Sequence, residues 1–434
     1  SFGNVPIAGT LYDVLLTGEG ERKFFAFLLS WLDLPVPAEF QEERLLAGEE
    51  IPFIYTEENM PRFQNRIVYY ESSRGCPFSC AYCLSGKHEP VRVKPLEQVY
   101  AELQFLIDHQ VPQVKFVDRT FNCISDRCEA ILSYLLAHAK EGMNFHFECA
   151  GDLFTASQLA LIAKAPKGLF QFEIGIQSTC EQTLKVACRK TSISKVFDNI
   201  QKLMTLGNAN IHVDLIAGLP GEDSVRFRQS FNEVYALQAH QLQLGFLKIL
   251  KGAPLERMQG AYGYVFSQNP PYEILRNDIL SNDEILEMKG IEDVLNRYYN
   301  SGRYPITLCY LIGLCESPWS FYLGLAQWFR QKGLLGQGIS AKNAAEELLA
   351  YGVAVFSEHR EEICSCLLAD FYTSDASDIV PPSLRKYHIL SSQTRKMVEN
   401  CPSGVTIRAL KDKLYAVNYG EKDPVTGRYA LKLI

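Results

Sequence analysis

The chain has 434 residues, a length that predicts two or three domains with enough apolar surface for a large core. A composition of 47% hydrophobic and 21% charged residues excludes a disordered, collagen-like or disulfide-stapled chain. The formal net charge of −7 argues against a surface devoted to a polyphosphate partner. The longest apolar run, residues 24–32, contains Ser30 and is too short to cross a bilayer, so we predict no transmembrane segment.

Two features bear on the origin of the chain. Ser1 is not an initiator methionine and no leader pattern follows it, so we expect the chain to begin inside a longer protein or after processing. The 13 cysteines are unevenly spaced over a long chain, which favours a reducing compartment. The predicted location is therefore the cytoplasm.

Residues 1–66 are predicted to be the remnant of another domain followed by a linker. Residues 11–16 are typical of a buried strand, residues 18–21 of a turn, and residues 23–31 have a helical apolar face. One strand and one helix bury too little surface to be stable alone. Residues 36–65 contain several prolines and many acidic residues and are interpreted as a connector.

From residue 67 onward, short β-rich segments alternate with amphipathic helical segments. The predicted strands are residues 67–71, 113–117, 145–149, 170–176, 211–216 and 242–250. Because parallel neighbours need crossover helices, this alternation predicts an α/β fold, a partial (β/α)6 TIM-like barrel over residues 67–255. In such a barrel, the chemistry lies on loops at the carboxyl ends of the strands.

Residues 256–434 are predicted to form a mainly helical accessory domain with a terminal β-hairpin. Residues 273–300 and 318–371 have helical patterns. Residues 414–417 and 429–432 have strand patterns and flank a turn at residues 423–427.

The most specific signal is a CxxxCxxC pattern formed by Cys76, Cys80 and Cys83, directly after the first predicted barrel strand. Three thiolates on one loop suit a cubane iron–sulfur cluster with one iron left open for a small molecule. A structural zinc site is the main alternative, with His88 as the fourth ligand. Three unrelated core cysteines are the third interpretation, but it would not explain Gly75 and Pro77.

With this motif and an aromatic residue before its last cysteine, the sequence resembles the radical S-adenosylmethionine (SAM) superfamily over residues 67–255. The resemblance implies a 4Fe-4S cluster held by the three cysteines, with SAM bound at the open iron. It also implies reductive cleavage of SAM to methionine and a 5′-deoxyadenosyl radical that removes a substrate hydrogen. Such enzymes take their electron from an external donor such as flavodoxin or ferredoxin.

Further site residues follow from this resemblance, position by position. Tyr82 would pack on the adenine of SAM, and Asp118 lies in the second-strand loop that holds the methionine amino group, although the loop lacks the usual glycines. Glu148 and Gln177 fall where the family contacts the methionine and ribose portions.

The last three implied contacts come from later loops. Arg189 would pair with the carboxylate of SAM, Asp214 would accept a ribose hydroxyl, and the backbone of Ile249 would face the adenine. Glu173 lies inside a predicted strand, where we expect it to point to solvent or to pair with a helix.

Residues 12–21 are similar to the last strand and helix start of the cobalamin-binding domain that precedes many radical SAM enzymes. The DxHxxG loop that offers histidine to cobalt is absent from this chain. The C-terminal region resembles an uncharacterised helical extension found in some members of that class. The resemblance therefore implies cobalamin in the full-length protein and methyl transfer to carbon.

The alternatives are a cobalamin-independent radical oxidoreductase, a methylthiotransferase-like RNA-modifying enzyme, an electron-transfer iron–sulfur protein and a zinc-holding binding protein. Residues 1–66 contain no cysteine, whereas a methylthiotransferase needs three there. The sequence therefore does not favour a nucleic-acid partner, and we expect a small molecule or a peptide as substrate.

Overall fold

The computed structural model describes residues 13–14, 16, 18–41, 46–85, 90–375, 380–387, 405–410 and 413–433. Half of the strand predicted at residues 11–16 lies outside these residues, and residues 13, 14 and 16 belong to no described strand. His88 of the zinc alternative also lies outside the described residues. None of the described helices has the length and apolar character that crossing a membrane requires.

The described strands are numbered in chain order. They are β1 Ile67–Tyr70, β2 Ser73–Arg74, β3 Arg92–Val93, β4 Gln113–Phe116, β5 Asn144–Cys149, β6 Phe170–Gln177, β7 Asn210–Ala217, β8 Gln241–Phe246, β9 Val265–Phe266, β10 Ile274–Arg276, β11 Val405–Leu410, β12 Lys413–Lys422 and β13 Tyr429–Leu433.

The described helices are numbered in the same way. They are α1 Gly20–Trp31, α2 Ala38–Gln41, α3 Leu96–Asp108, α4 Ser125–His138, α5 Ala156–Ile162, α6 Glu181–Val186, α7 Ile193–Leu206, α8 Ser224–Tyr235, α9 Pro254–Met258, α10 Asn282–Tyr298, α11 Pro305–Gly313, α12 Pro318–Gln331, α13 Ala341–Val355 and α14 Arg360–Ser374. Short 3-10 turns lie at Gly48–Glu50, Met60–Phe63, Phe121–Cys123, Gly151–Leu153, Gln259–Tyr262, Ser357–His359 and Pro382–Tyr387.

Six parallel strands form one sheet in the order β1-β4-β5-β6-β7-β8, with helices between successive strands. The partial-barrel prediction is therefore confirmed. Strand β8 ends at Phe246 rather than at residue 250, because the chain turns away to pair with a later segment: the amide of Ile249 donates to the carbonyl of Tyr272 at 2.9 Å.

The two faces of this sheet differ in chemistry. Alternate positions such as Phe172, Ile174 and Val213 are fully buried in the core. The positions between them, such as Glu173 and Asp214, are polar and only partly buried. Barrels of this kind are usually filled with branched apolar side chains. A polar interior instead leaves room for a polar ligand.

The predicted connector packs against the barrel. Tyr55 and Met60 are buried in the core, and the Tyr55 hydroxyl donates to the carbonyl of Tyr69 at 2.7 Å. Residues 46–66 therefore form part of the folded unit.

Helices and a three-stranded antiparallel sheet, β11-β12-β13, follow the barrel, so the C-terminal β element has one strand more than the predicted hairpin. Helices α10 to α14 carry a continuous core that includes Tyr298 and Trp319, both almost fully buried. Strands β12 and β13 pair antiparallel around the predicted turn. That turn reaches the amino end of the barrel, where Asn210 Nδ2 donates to the carbonyl of Val425 at 3.0 Å.

Candidate functional site

The cysteine loop, residues 75–85, follows β2 shortly after the end of β1. Strand β2 pairs antiparallel with β3 and so closes the loop into a hairpin-like unit. Gly75 follows β2 with a φ of +105°, a backbone conformation that favours glycine. A Cβ at Gly75 would also lie 3.1 Å from the carbonyl oxygen of Pro90. The glycine before the first cysteine therefore allows both the turn and the close approach.

Two backbone hydrogen bonds fix the far end of the loop. The amide of Ala81 donates to the carbonyl of Ala187, and the amide of Leu255 donates to the carbonyl of Ala81, both at 2.8 Å. The amide of Cys83 donates to the carbonyl of Cys80 at 3.0 Å, which places these two cysteines on one turn.

All three cysteines have free thiols, and each sulfur has at least one polar neighbour. Cys76 Sγ lies 3.5 Å from Thr120 Oγ1. Arg189 Nη1 donates to Cys80 Sγ at 3.8 Å, and the amide of Ser85 donates to Cys83 Sγ at 3.3 Å. Hydrogen bonds of this kind stabilise thiolates, the form that ligates metal.

Within the part of the chain that the structure describes, no group of three or more His, Cys, Asp or Glu residues is gathered around a point that could hold a single metal ion. A mononuclear zinc site needs such a group. A cubane spreads its ligands over separate iron corners, so its cysteines need not converge on one point. Because His88 lies outside the described residues, this finding does not decide between a cluster and zinc.

Asp118, at the end of β4, is almost fully buried beneath this loop. Its carboxylate accepts from the amide and hydroxyl of Ser72 at 2.9 and 2.6 Å and from the Ser73 hydroxyl at 2.5 Å. Burial raises the pKa of this carboxyl group, and the serine donors act in the opposite direction. Its side chain thus points to the strand that leads into the cysteines.

Tyr82 and Arg189 contact each other beside the second cysteine. Arg189 Nη1 donates to the Tyr82 hydroxyl at 3.4 Å, and Nη2 donates to the carbonyl of Gly175. Burial raises the pKa of the Tyr82 phenol. Ile249 is also close to fully buried, in the loop after β8.

Three buried polar atoms near the carboxyl edge of the sheet have no hydrogen-bond partner among the described residues: Gln177 Oε1, Arg189 Nε and Asp214 Oδ1. Gly175 on β6 pairs with Asp214 on β7 and also receives the Arg189 hydrogen bond, so these residues lie around one point of the edge. Unsatisfied buried polar atoms are costly. Their grouping indicates a site that a polar ligand completes.

The carboxyl groups of this region have perturbed protonation. Burial, together with the nearby Glu173 and Glu148 carboxylates, raises the pKa of Asp214 to about 8. Burial and the charge of Glu173 raise the pKa of Glu148 as well. Both groups would ionise more readily beside a cation.

The sequence prediction for Glu173 was wrong, because its side chain turns into the barrel. Glu173 Oε2 lies 3.3 Å from Lys115 Nζ on β4 and 3.1 Å from His146 Nε2 on β5. These two partners lower the pKa of Glu173 to about 2. Burial lowers the pKa of His212, on the neighbouring strand, to about 4.

Lys115 and His146 were not predicted to be site residues. Polar residues at every second position of strands that are otherwise apolar are the signal that could have identified them, because such positions share one face of a sheet.

Two family profiles match the chain. Residues 70–234 match the Radical SAM superfamily. Residues 260–406 match a family described as a protein of unknown function (DUF4080). The first match spans the cysteine loop and strands β4 to β7, and the second spans helices α10 to α14.

Curated relatives share about a quarter of the aligned residues. A 2-(S-pantetheinyl)-carbapenam-3-carboxylate methyltransferase from Streptantibioticus cattleyicolor is 24% identical over 285 residues, which cover 58% of this chain and 41% of that protein. The cobalamin-dependent radical SAM methyltransferase TokK from Streptomyces tokunonensis is 25% identical over 197 residues, which cover 43% of this chain and 28% of that protein. A tRNA-2-methylthio-N(6)-dimethylallyladenosine synthase from Herpetosiphon aurantiacus is 26% identical over 180 residues, which cover 38% of this chain and 40% of that protein. The matches therefore span less than half the length of each relative.

Among solved structures, the radical SAM methyltransferase TsrM from Kitasatospora setae is 14% identical, covers 49% of this chain and 42% of its own, and gives a TM-score of 0.43. Coproporphyrinogen III oxidase (HemN) from Escherichia coli is also 14% identical, with a TM-score of 0.34. The match covers 55% of this chain and 62% of that protein.

Proposed function

We propose that residues 70–234, which match the Radical SAM superfamily, bind a 4Fe-4S cluster through Cys76, Cys80 and Cys83 and SAM beside it. The observation that carries the proposal is the position of the three free thiols. They lie on one braced loop at the carboxyl edge of the sheet, next to a group of unpartnered buried polar atoms.

The residues present fit a cationic, donor-rich ligand. SAM carries a sulfonium, an ammonium and ribose hydroxyls, and burial and mutual repulsion raise the pKa of the carboxyl groups of Glu148 and Asp214. A cation between them would offset both effects. Gln177 Oε1 supplies a further acceptor at the same edge.

The bound cluster and SAM would together supply the electron and the radical that removes a hydrogen atom from the substrate. The chain's own residues orient these groups. Arg189 is fixed by the Gly175 carbonyl, and its unpartnered Nε would be free to donate to the carboxylate of SAM. Tyr82 and Ile249 would contact the adenine. Both carboxylate oxygens of Asp118 already accept hydrogen bonds from Ser72. Asp118 is therefore proposed to act indirectly, by supporting the loop that would contact the amino group of SAM.

The polar interior of the barrel is proposed to receive the substrate. Lys115, His146 and Glu173 form a preorganised cluster there, so a substrate with hydrogen-bonding groups would replace water without leaving a charge unpaired. An external low-potential donor such as flavodoxin or ferredoxin would reduce the cluster.

For the full-length protein, we propose cobalamin-dependent methyl transfer to carbon. Support comes from the similarity to TokK and to the carbapenam methyltransferase. The described N-terminal segment also lies close to the cysteine loop. Arg92, on β3, donates to Glu19 Oε1 at 2.6 Å. A cavity of about 460 Å³ lies between this segment and residues 84–85. None of the described residues that line the cavity is a histidine.

A second candidate is RNA methylthiolation, which the similarity to the Herpetosiphon aurantiacus enzyme favours. The products separate the two proposals, because methylthiolation adds sulfur to a nucleoside and methylation does not.

The test is anaerobic reconstitution with iron and sulfide, followed by incubation with SAM and dithionite. We expect about four irons per chain and 5′-deoxyadenosine as a product in the wild type. Alanine variants of Cys76, Cys80 or Cys83 should lose both, whereas Cys188→Ala should keep both because Cys188 is exposed and outside the loop. A cluster-loaded wild type that forms no 5′-deoxyadenosine would favour a pure electron-transfer role, and a zinc-loaded chain without iron would refute the proposal.

A further inference from the structure

We propose that Arg189 raises the reduction potential of the cluster by placing its guanidinium against the sulfur of Cys80. The inference rests on the proposed function, because it requires a cluster at these cysteines. It concerns how easily the cluster accepts its electron, which is separate from how SAM binds.

The guanidinium is fixed in place by several contacts. Nη1 lies 3.8 Å from Cys80 Sγ and 3.4 Å from the Tyr82 hydroxyl, and Nη2 donates to the carbonyl of Gly175. The backbone amide of Arg189 donates to the carbonyl of Leu184 at 2.9 Å. The positive charge therefore stays near this sulfur without a bound ligand.

The backbone also links this arginine to the loop that it contacts. The amide of Ala81, which follows Cys80, donates to the carbonyl of Ala187, two residues before Arg189. The ligand and the cation are thus held on adjoining, hydrogen-bonded segments. Side-chain rotation alone does not separate them.

A fixed cation near a ligating sulfur favours the more negative oxidation state. On reduction, one electron from the external donor enters the cluster, and no bond or proton needs to move. The added negative charge is stabilised by the guanidinium and by its N–H donor, so the potential rises.

Thr120 provides an internal comparison. Its Oγ1 lies 3.5 Å from Cys76 Sγ, but the hydroxyl proton is donated to the carbonyl of Arg119 at 2.7 Å. A neutral group whose proton is already engaged stabilises added charge less than a guanidinium does. We therefore expect graded effects, large at Arg189 and small at Thr120.

The experiment is a potentiometric titration of the reconstituted cluster, followed by electron paramagnetic resonance in the absence of SAM. We expect Arg189→Gln to lower the equilibrium constant for reduction about tenfold, which corresponds to about 59 mV for one electron. Arg189→Lys keeps the charge with fewer donors and should fall between the wild type and Arg189→Gln. Thr120→Val should change the constant less than threefold. Lys190→Gln, which removes an exposed neighbouring charge, is the matched control and should leave it unchanged.

The outcomes separate the inference from the proposed function. A wild type that holds no cluster refutes the proposed function. Cluster-loaded Arg189→Gln with an unchanged potential refutes the inference alone. If Arg189→Gln does not hold a cluster, wild type labelled with ¹⁵N-arginine decides the question: the reduced cluster should show a ¹⁵N hyperfine coupling, and its absence would overturn the inference.

Discussion

Asp118 accepts hydrogen bonds from both the backbone amide and the hydroxyl of Ser72, at 2.9 and 2.6 Å, across 46 positions of sequence. This contact joins the end of β4 to the strand that leads into Cys76. The carbonyl of Ser72 in turn accepts from Arg127 Nη2 at 3.0 Å. A largely buried hydrogen-bond network therefore supports the base of the cysteine loop.

Asp118→Asn tests this support. The amide keeps one acceptor oxygen and places an NH₂ group against serine donors, so we expect the free energy of unfolding to fall by about 1–3 kcal/mol. The iron content after reconstitution should fall as well. Urea denaturation and iron analysis measure the two effects.

Asp108→Asn is the matched control, because Asp108 is exposed and lies 4.0 Å from Lys140. Its effect on unfolding should be within about 0.5 kcal/mol. If both variants behave alike, Asp118 does not support the loop.

Asp214 should make the stability of the cluster-free chain depend on pH. Its pKa is raised to about 8 in the folded chain, from an ordinary value of 3.8, so between these values the folded state binds more protons than the unfolded state. The free energy of unfolding therefore decreases as pH rises, by up to about 1.4 kcal/mol per pH unit from this group. Asp214→Asn should flatten the curve between pH 4 and 8, as measured by urea denaturation at each pH. An unchanged slope would contradict the assignment.

The same carboxyl groups should couple SAM binding to proton release. If the cation of SAM lies beside Asp214, whose pKa is raised to about 8, binding favours the ionised carboxylate, and affinity should increase from pH 6 to pH 9. The raised pKa of Glu148 acts in the same direction. Calorimetry of the oxidised, cluster-loaded protein in buffers of different ionisation enthalpy measures the released protons. Asp214→Asn should release fewer of them, whereas equal release in the variant and the wild type would place the cation elsewhere.

Arg428 should stabilise the C-terminal unit through Asp370. The Asp370 side chain is completely buried and accepts from Arg428 at 2.8 Å and from the amide of Thr307 at 2.7 Å. Arg428→Met leaves that carboxylate without its cation, so we expect a loss of about 3–5 kcal/mol in the free energy of unfolding.

Lys167→Met provides the comparison for Arg428→Met. Lys167 Nζ lies 2.8 Å from the carboxylate of Asp423, which belongs to the same turn as Arg428. Because the Lys167 side chain is 57% exposed, the loss in the free energy of unfolding should be below about 1 kcal/mol. Thermal or urea denaturation of both variants measures the difference. Equal losses would show that burial of Asp370 does not determine the effect.

The sequence predicted the barrel well because its signals are local. Alternating apolar positions and helical periodicity located all six sheet strands to within a few residues at their starts. The end of β8 was wrong because the pairing of Ile249 with Tyr272 is set by a segment more than twenty positions away, which periodicity does not register.

The candidate site shows the same division between local sequence signals and contacts with distant residues. The cysteine spacing and Gly75 are local and point directly to a ligating loop. The orientation of Glu173 depends on Lys115 and His146 on two other strands, so its inward position follows only from the barrel register. Similarly, the contact between Arg189 and Cys80 joins residues 109 positions apart.

The turn at residues 423–428 gives the molecule an order of assembly. Val425 meets Asn210 at the amino end of the barrel, and Arg428 meets Asp370 in the helical unit. During translation, the ribosome makes both receiving surfaces long before it makes the turn that joins them. A nascent chain that ends before this turn would lack the hydrogen bonds that join the barrel to the helical unit.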